Sequence, residues 1–330
     1  MSRLLVYGAS GYTGRMAAAH AKSLGLDVVL AGRGGPALRD LARALGVAYR
    51  EFSLEDQGTV GRGLDRITAV LNCAGPFMRT AGPLMRAAVQ TGVHYLDVAA
   101  ELDSYRLAEA LDADATHAGV MLLPGSGGSV AMLGCLAEHA RKRVDDPKQL
   151  RIALQVSGSM SRGSAISASE NMSGHCVARV AGNLEPRNPQ DIEDFDFGEG
   201  PRPCFPVTLP DLITIWRATQ IPDIGTFVHI SEGSFPSGDL SAMSDGPSAE
   251  ERAANRYRAS AVVVGADGAS AHSVLDTVNG YTFTPMAAAE AARRVLAGET
   301  AAGFQVPAVL FGGGFAETIA DTRIMDFRIR

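Results

Sequence analysis

The chain has 330 residues, of which 46% are hydrophobic and 20% charged, and a net charge of −6. That balance is globular, since disordered chains pair low hydrophobicity with high net charge, and the length suits two domains. Without a basic stripe nucleic acid is not an expected partner, and the 37 glycines show neither the collagen period nor a low-complexity composition.

The chain opens on one repeating rhythm of short apolar run, turn and helical run. Strands are predicted at Arg3–Tyr7, Val28–Ala31, Ala48–Phe52, Ala69–Asn72, His94–Val98 and Val120–Leu123. Helices are predicted at Gly14–Leu24, Pro36–Leu45, Pro83–Thr91 and Leu102–Ala118, each closed by a glycine. This alternation predicts an α/β fold, a Rossmann-type doubly wound parallel sheet over residues 1–128. From residue 129 the pattern changes. A helix at Ser129–Arg143 precedes longer strands at Leu150–Ser157, Cys176–Ala181, Thr226–Ile230, Tyr257–Val264 and Ala271–Val278, with helices at Leu209–Thr219 and Pro285–Ala297. Residues 129–330 therefore read as a second, α+β domain with an antiparallel sheet. The segment from about 285 is a candidate to return to the first domain. Pro186–Pro203, acidic and proline-rich, reads as a solvated loop; Gly233–Pro247 reads as a surface loop or a lid. Ser248 with Glu251 forms a capping-box pattern.

Leu4–Tyr7 is not expected to serve as a signal peptide, because Gly8, Ser10, Gly11 and Arg15 interrupt the apolar run. No run approaches the length of a membrane span, so no membrane association is expected. Cys73, Cys135, Cys176 and Cys204 form no CxxC pair and no Cys/His cluster. Free thiols, a cytoplasmic setting and no metal are the expectation.

Gly8-Ala9-Ser10-Gly11-Tyr12-Thr13-Gly14 follows the first strand and opens a helix. Gly8 permits the tight turn, Gly11 clears the way for a pyrophosphate and Gly14 lets the helix pack on the sheet. The exposed N–H groups at that helix start attract phosphate, which makes Gly8, Ser10, Gly11, Tyr12, Thr13 and Gly14 the candidate cofactor turn. An NAD site places an acid about twenty residues on. Here the second strand ends Leu30-Ala31-Gly32-Arg33. Arg33 suits a 2′-phosphate, and the expected cofactor is NADP.

Two other enzyme classes share such a fingerprint. No tyrosine has a lysine four residues on, which removes the short-chain dehydrogenases in their usual form. A cysteine-dependent acyl-phosphate or semialdehyde reductase needs a nucleophile at a helix head; Cys176 and Cys204 lie in strand or loop contexts, leaving this an alternative. A third stretch of motifs goes further. Leu71-Asn72-Cys73-Ala74-Gly75-Pro76-Phe77, His94-Tyr95-Leu96-Asp97-Val98-Ala99-Ala100-Glu101, Leu123-Pro124-Gly125-Ser126-Gly127-Gly128, Ser161-Arg162-Gly163-Ser164 and Asp196-Phe197-Gly198-Glu199-Gly200-Pro201 join the glycine turn. With them the chain resembles the saccharopine dehydrogenase-like NADP-binding oxidoreductases, including the bacterial trans-acting enoyl reductase type. It departs from that pattern at Gly127-Gly128-Ser129, where the family carries Gly-Phe-Asp. Its three lysines (Lys22, Lys142 and Lys148) offer no lysine-based acid–base chemistry.

The resemblance implies an NADPH-dependent oxidoreductase that reduces a C=C, C=O or C=N bond of a small organic substrate, working as a homodimer. In a doubly wound sheet the ligand lies beyond the carboxyl ends of the strands. Asn72, Cys73, Ala74 and Gly75 are the candidates beside the nicotinamide ribose. Glu101, after the fifth strand, is a candidate general acid or a helix cap; Ser126, after the sixth, a candidate substrate contact or part of a hinge. Arg162 is a candidate carboxylate or phosphate clamp. No strong acid–base pair is visible, so a non-catalytic NADP-binding regulator stays as a second alternative.

Overall fold

The computed structural model describes residues 2–171, 176–230 and 239–327. The chain divides into two compact units, Met1–Gly128 with Thr284–Leu310, and Ser129–Phe283 with Phe311–Arg330.

The first unit runs β1 (Arg3–Tyr7), α1 (Tyr12–Ser23), β2 (Asp27–Gly32), α2 (Pro36–Leu45), β3 (Ala48–Glu51), α3 (Gln57–Gly63), β4 (Ala69–Asn72) and α4 (Phe77–Thr91). It continues through β5 (His94–Asp97), α5 (Leu102–Ala110), α6 (Asp112–His117) and β6 (Met121–Leu123). All its strands are parallel, in the order β3-β2-β1-β4-β5-β6, extended by a two-residue strand at Gly303–Phe304 beside β6. That order reverses between β1 and β4, and the reversal opens a crevice at the carboxyl edge. Leu4, Leu5 and Val6 of β1 are fully buried, and α1 lays Ala17, Ala18 and Ala21 against the sheet.

The second unit holds α7 (Gly128–Arg141, entered at the unit boundary), β7 (Pro147–Val156), α8 (Arg162–Asn171), β8 (Val177–Val180), β9 (Asn183–Pro186), β10 (Glu193–Asp196) and β11 (Pro201–Pro206). Then come α9 (Asp211–Thr219), β12 (Asp223–Ile230), α10 (Ala249–Ala254), β13 (Tyr257–Gly265) and β14 (Ser270–Thr277). After α11 (Gly280–Leu296), which crosses the boundary, the first unit receives β15 (Gly303–Phe304) and α12 (Pro307–Leu310), and the second receives β16 (Arg323–Phe327). The second sheet follows β10-β11-β12-β7-β13-β14-β16. The β13–β14 hairpin and the Ser248–Glu251 capping box form as their residues foretell.

Four local differences from the sequence reading have physical reasons. The second sheet is mixed: β7 and β12 are parallel, as the long crossover of α8, β8–β11 and α9 between them permits. Pro186–Pro203 is not all loop. Phe195 and Phe197 alternate with acids, and both aromatics are buried with Ala153, Cys204 and Phe227, which makes β10 a strand. Helix α4 begins at Phe77 and runs through Pro83, because Phe77, Ala81, Leu84, Met85 and Ala88 form one buried stripe. The helix expected over Leu102–Ala118 breaks at Leu111 into α5 and α6. Residues 233–238 of the loop-or-lid segment lie outside the described residues.

Candidate functional site

The glycine turn joins β1 to α1 at the point where the strand order reverses. Gly8 donates its N–H to the Ala31 carbonyl at 2.9 Å, tying the turn to β2. Its φ is +76°, and a Cβ there would lie 2.8 Å from the Ala74 backbone nitrogen. Gly14 is closed in by the Gly8 carbonyl, with the Ala9 Cα 3.0 Å from any added Cβ. The N-cap of α1 is Gly11, with no side chain capping the helix. Ser10 and Gly11 are exposed, and Tyr12 and Thr13 half-buried. This is a cradle that side chains would fill and that a phosphate suits.

Arg33, just past β2, is exposed and makes no ion pair among the described residues. Glu51, the acid at the end of β3 opposite Gly32, is engaged by Arg39 at 3.1 Å. The end of β2 therefore offers a positive charge, with the neighbouring acid already paired.

The ends of β4, β5 and β6 form a second, inner layer. Asn72 stands opposite Asp97 in the β4–β5 register. Ala74 N–H donates to Asn72 Oδ1 at 3.0 Å, Asn72 Nδ2 donates to Tyr95 Oη at 3.2 Å, and Tyr95 Oη donates to Asp97 Oδ2 at 2.8 Å. The N–H groups of Ala99 and Gly125 donate to Asp97 Oδ1 at 3.0 and 2.8 Å. Asp97 is fully buried, and burial pushes its carboxyl up to about 6 against the lowering effect of those donors. Cys73 is half-buried, and desolvation with the nearby Asp97 charge pushes its thiol up to about 12. Gly75 is exposed, and the Gly75–Pro76 peptide is cis.

Glu101 is 3% exposed and accepts the Phe77 N–H at 3.3 Å and the Ala100 N–H at 3.0 Å, joining the loops after β4 and β5. Ser126 is fully buried and gives both its N–H and its hydroxyl to the Asp97 carbonyl, each at 2.8 Å. Asn72, Ala74, Glu101 and Ser126 thus come together at one edge of the first sheet. Arg162 belongs to the second unit, where it is paired with Asp245 and donates to the Met243 carbonyl at 3.2 Å. Sequence reasoning missed Tyr95, Asp97 and Thr80 as members of this layer. The signal available was the i, i+2 pair Tyr95 and Asp97, which a strand places on one face beside a strand-end asparagine.

All four cysteines are free thiols. Among the described residues no group of His, Cys, Asp and Glu is arranged to hold a metal ion, and no helix is long and apolar enough to cross a membrane.

Residues 4–123 match the family model of the saccharopine dehydrogenase NADP binding domain. A trans-acting enoyl reductase from Mycobacterium leprae (strain TN) is 31% identical over 109 residues, which are 30% of this chain and 25% of that protein. The aligned part is thus a quarter of that relative's length. The fold of saccharopine dehydrogenase (L-Glu forming) from Saccharomyces cerevisiae superposes with a TM-score of 0.64 at 12% identity, covering 98% of this chain and 100% of that one. Homospermidine synthase from Legionella pneumophila, solved in complex with NAD, gives 0.62 at 12% identity over 99% and 91% of the two chains. The cofactor expected of the glycine turn, a nicotinamide dinucleotide, is the cofactor of the matched domain. The chain is thus similar to the saccharopine dehydrogenase NADP binding domain over residues 4–123, and as a whole it has the saccharopine dehydrogenase fold.

Proposed function

We propose that the protein is an NADP(H)-dependent oxidoreductase that reduces a C=C, C=O or C=N bond of a small organic substrate. One observation carries the cofactor choice: a glycine turn at the strand-order reversal, with Arg33 exposed at the end of β2 and in no ion pair among the described residues. In this reading the Gly8–Gly14 turn and the start of α1 hold the pyrophosphate, Arg33 the 2′-phosphate, and Asn72, Cys73, Ala74 and Gly75 the nicotinamide ribose. The nicotinamide supplies the hydride. Glu101 and Ser126 orient the loops beside the reacting carbon.

The relatives named trans-acting enoyl reductase support a C=C bond, at the coverage given above. All four thiols are raised by burial, three of them to about 12, which speaks against a cysteine-based acyl-phosphate reduction. A homodimer and a cytoplasmic setting belong to the same reading.

The test of the cofactor is a titration. Arg33→Ala is expected to weaken NADPH by about 1.5–3 kcal/mol and to leave NADH unchanged. Equal losses for the two nucleotides would remove the 2′-phosphate role. Oxidation of NADPH in the presence of enoyl, keto and imine acceptors then distinguishes the bond reduced; no turnover with any of them favours the non-catalytic regulator.

A further inference from the structure

Three hydrogen bonds of the inner layer run in one direction. Ala74 N–H gives to Asn72, Asn72 gives to Tyr95, and Tyr95 gives to Asp97. Only an acceptor can end such a chain, and the carboxylate of Asp97 is that acceptor. The chain also fixes the Asn72 amide. Its oxygen takes the Ala74 N–H, so its nitrogen faces Tyr95 and Thr80. Thr80 accepts from Asn72 and donates to the Ala74 carbonyl at 2.5 Å, so Ala74 is held by both its N–H and its C=O. Ala74 in turn abuts Gly8, whose added Cβ would lie 2.8 Å from both the nitrogen and the Cβ of Ala74. The position of Ala74 therefore sets the room available to the phosphate turn.

Resting on the dinucleotide reading above, we infer that Asp97 is the positioning residue of this site. Through Tyr95 and Asn72 its carboxylate sets Ala74 against the glycine turn, so that dinucleotide binding depends on Asp97 being ionised. Protonation goes to Oδ2, because Oδ1 already takes two N–H groups. That proton meets the hydrogen of Tyr95. If the Tyr95 hydroxyl turns away, its hydrogen faces the Asn72 amide nitrogen, which is itself a donor. One link of the chain is lost in either case.

The titratable groups facing Asp97 are Tyr95 beside it, Cys73 after β4 and Glu101 after β5, with Tyr105 of α5 beyond Tyr95. None is cationic. The donors that hold the carboxylate, Ala99, Gly125 and Tyr95, are neutral, and burial pushes the carboxyl up to about 6.

The experiment is isothermal titration of the full chain with NADP+, and in parallel with NAD+, at pH 7.5 and 5.5. It compares the unaltered protein with Tyr95→Phe and Asp97→Asn, each checked for folding by circular dichroism. The 2′-phosphate of NADP+ titrates near 6, contributes equally to every protein and is missing from NAD+. The unaltered protein should lose about three- to fourfold in affinity at the lower pH beyond that ligand contribution. Tyr95→Phe, which keeps the ring and cuts the chain, should bind weakly already at pH 7.5 and lose little more at 5.5. Asp97→Asn should bind at pH 7.5 no better than the unaltered protein does at 5.5. Parallel pH profiles for the unaltered protein and Tyr95→Phe, with binding intact, would overturn the role of Asp97 and leave the cofactor site standing. No binding of either nucleotide at either pH would overturn the dinucleotide reading and this inference with it.

Discussion

Asp211 opens α9 wholly buried, and among the described residues neither of its carboxylate oxygens has a hydrogen-bond partner from another residue; Thr214, on the same helix, is likewise buried with no partner for its hydroxyl among them. Burial pushes the Asp211 carboxyl from 3.8 up to about 7. The folded state therefore keeps a proton that the unfolded chain has already released over that interval. The contribution of Asp211 to stability then falls as pH rises from about 4 and reaches its lowest plateau above 7. Asp211→Asn keeps the shape and removes the titration. Urea unfolding should show the two proteins alike near pH 4 and the variant more stable at pH 8, by up to about 4 kcal/mol. A variant no more stable at pH 8 than at pH 4, relative to the unaltered protein, would mean that Asp211 is ionised in the fold. At this scale the sequence is an uneven guide. The glycine turn is readable because its residues are adjacent and each glycine has a steric reason. The Asn72–Tyr95–Asp97 chain is not, because it runs across two neighbouring strands and Tyr95 reads as an ordinary core aromatic. Glu101 reads as an acid or a cap; its burial against two N–H groups shows that it also ties two loops together.

Elements were readable where apolar period and terminator agreed. Helix α2 spans Pro36–Leu45, with Pro36 at its start and Gly46 past its end in the left-handed region. The two proline-containing helices were not, because a proline at a helix start and one tolerated inside a helix look alike in sequence. Burial along Phe77–Ala88 decides the matter for α4. Strand β10 shows the same limit from the other side. Its acidic, proline-rich neighbourhood predicts solvent, yet Arg151 and Arg187 both reach Glu193 and Phe195 packs 4.9 Å from Phe227. Arg187 also lies 4.4 Å above the Phe227 ring. Phe227→Ala removes the surface on which β10 rests and should cost about 3–5 kcal/mol in urea unfolding. It should also speed amide exchange across Glu193–Asp196. A loss near 1 kcal/mol would show that β10 is held by its charges rather than by the aromatic pair.

On the scale of the molecule, the chain leaves the first unit at residue 128, builds most of the second, returns at 284 and leaves again at 310. The returning segment supplies β15, whose Gly303 N–H and Gln305 N–H donate to the carbonyls of Val120 and Leu122, each at 2.8 Å. Asp112 fastens it by accepting the Phe304 N–H at 2.6 Å, and Gly303 has φ +86° in a space where a Cβ would lie 2.6 Å from the Thr116 hydroxyl oxygen. Asp112→Ala should cost about 1–3 kcal/mol and raise hydrogen exchange at Phe304 and Gln305 while leaving β1 and β4 protected. Unchanged exchange at those two amides would show that the ladder alone holds β15.

The seventh strand also sets an order of synthesis. As the chain leaves the ribosome, the first sheet has six strands and a bare β6 edge throughout the making of residues 129–283. An open edge of that kind is a template for another nascent copy. The first unit thus waits, one strand short, until residues 303–304 emerge. A fragment cut at residue 128 keeps that edge bare, whereas one that splices 1–128 to 284–310 has every strand of the sheet.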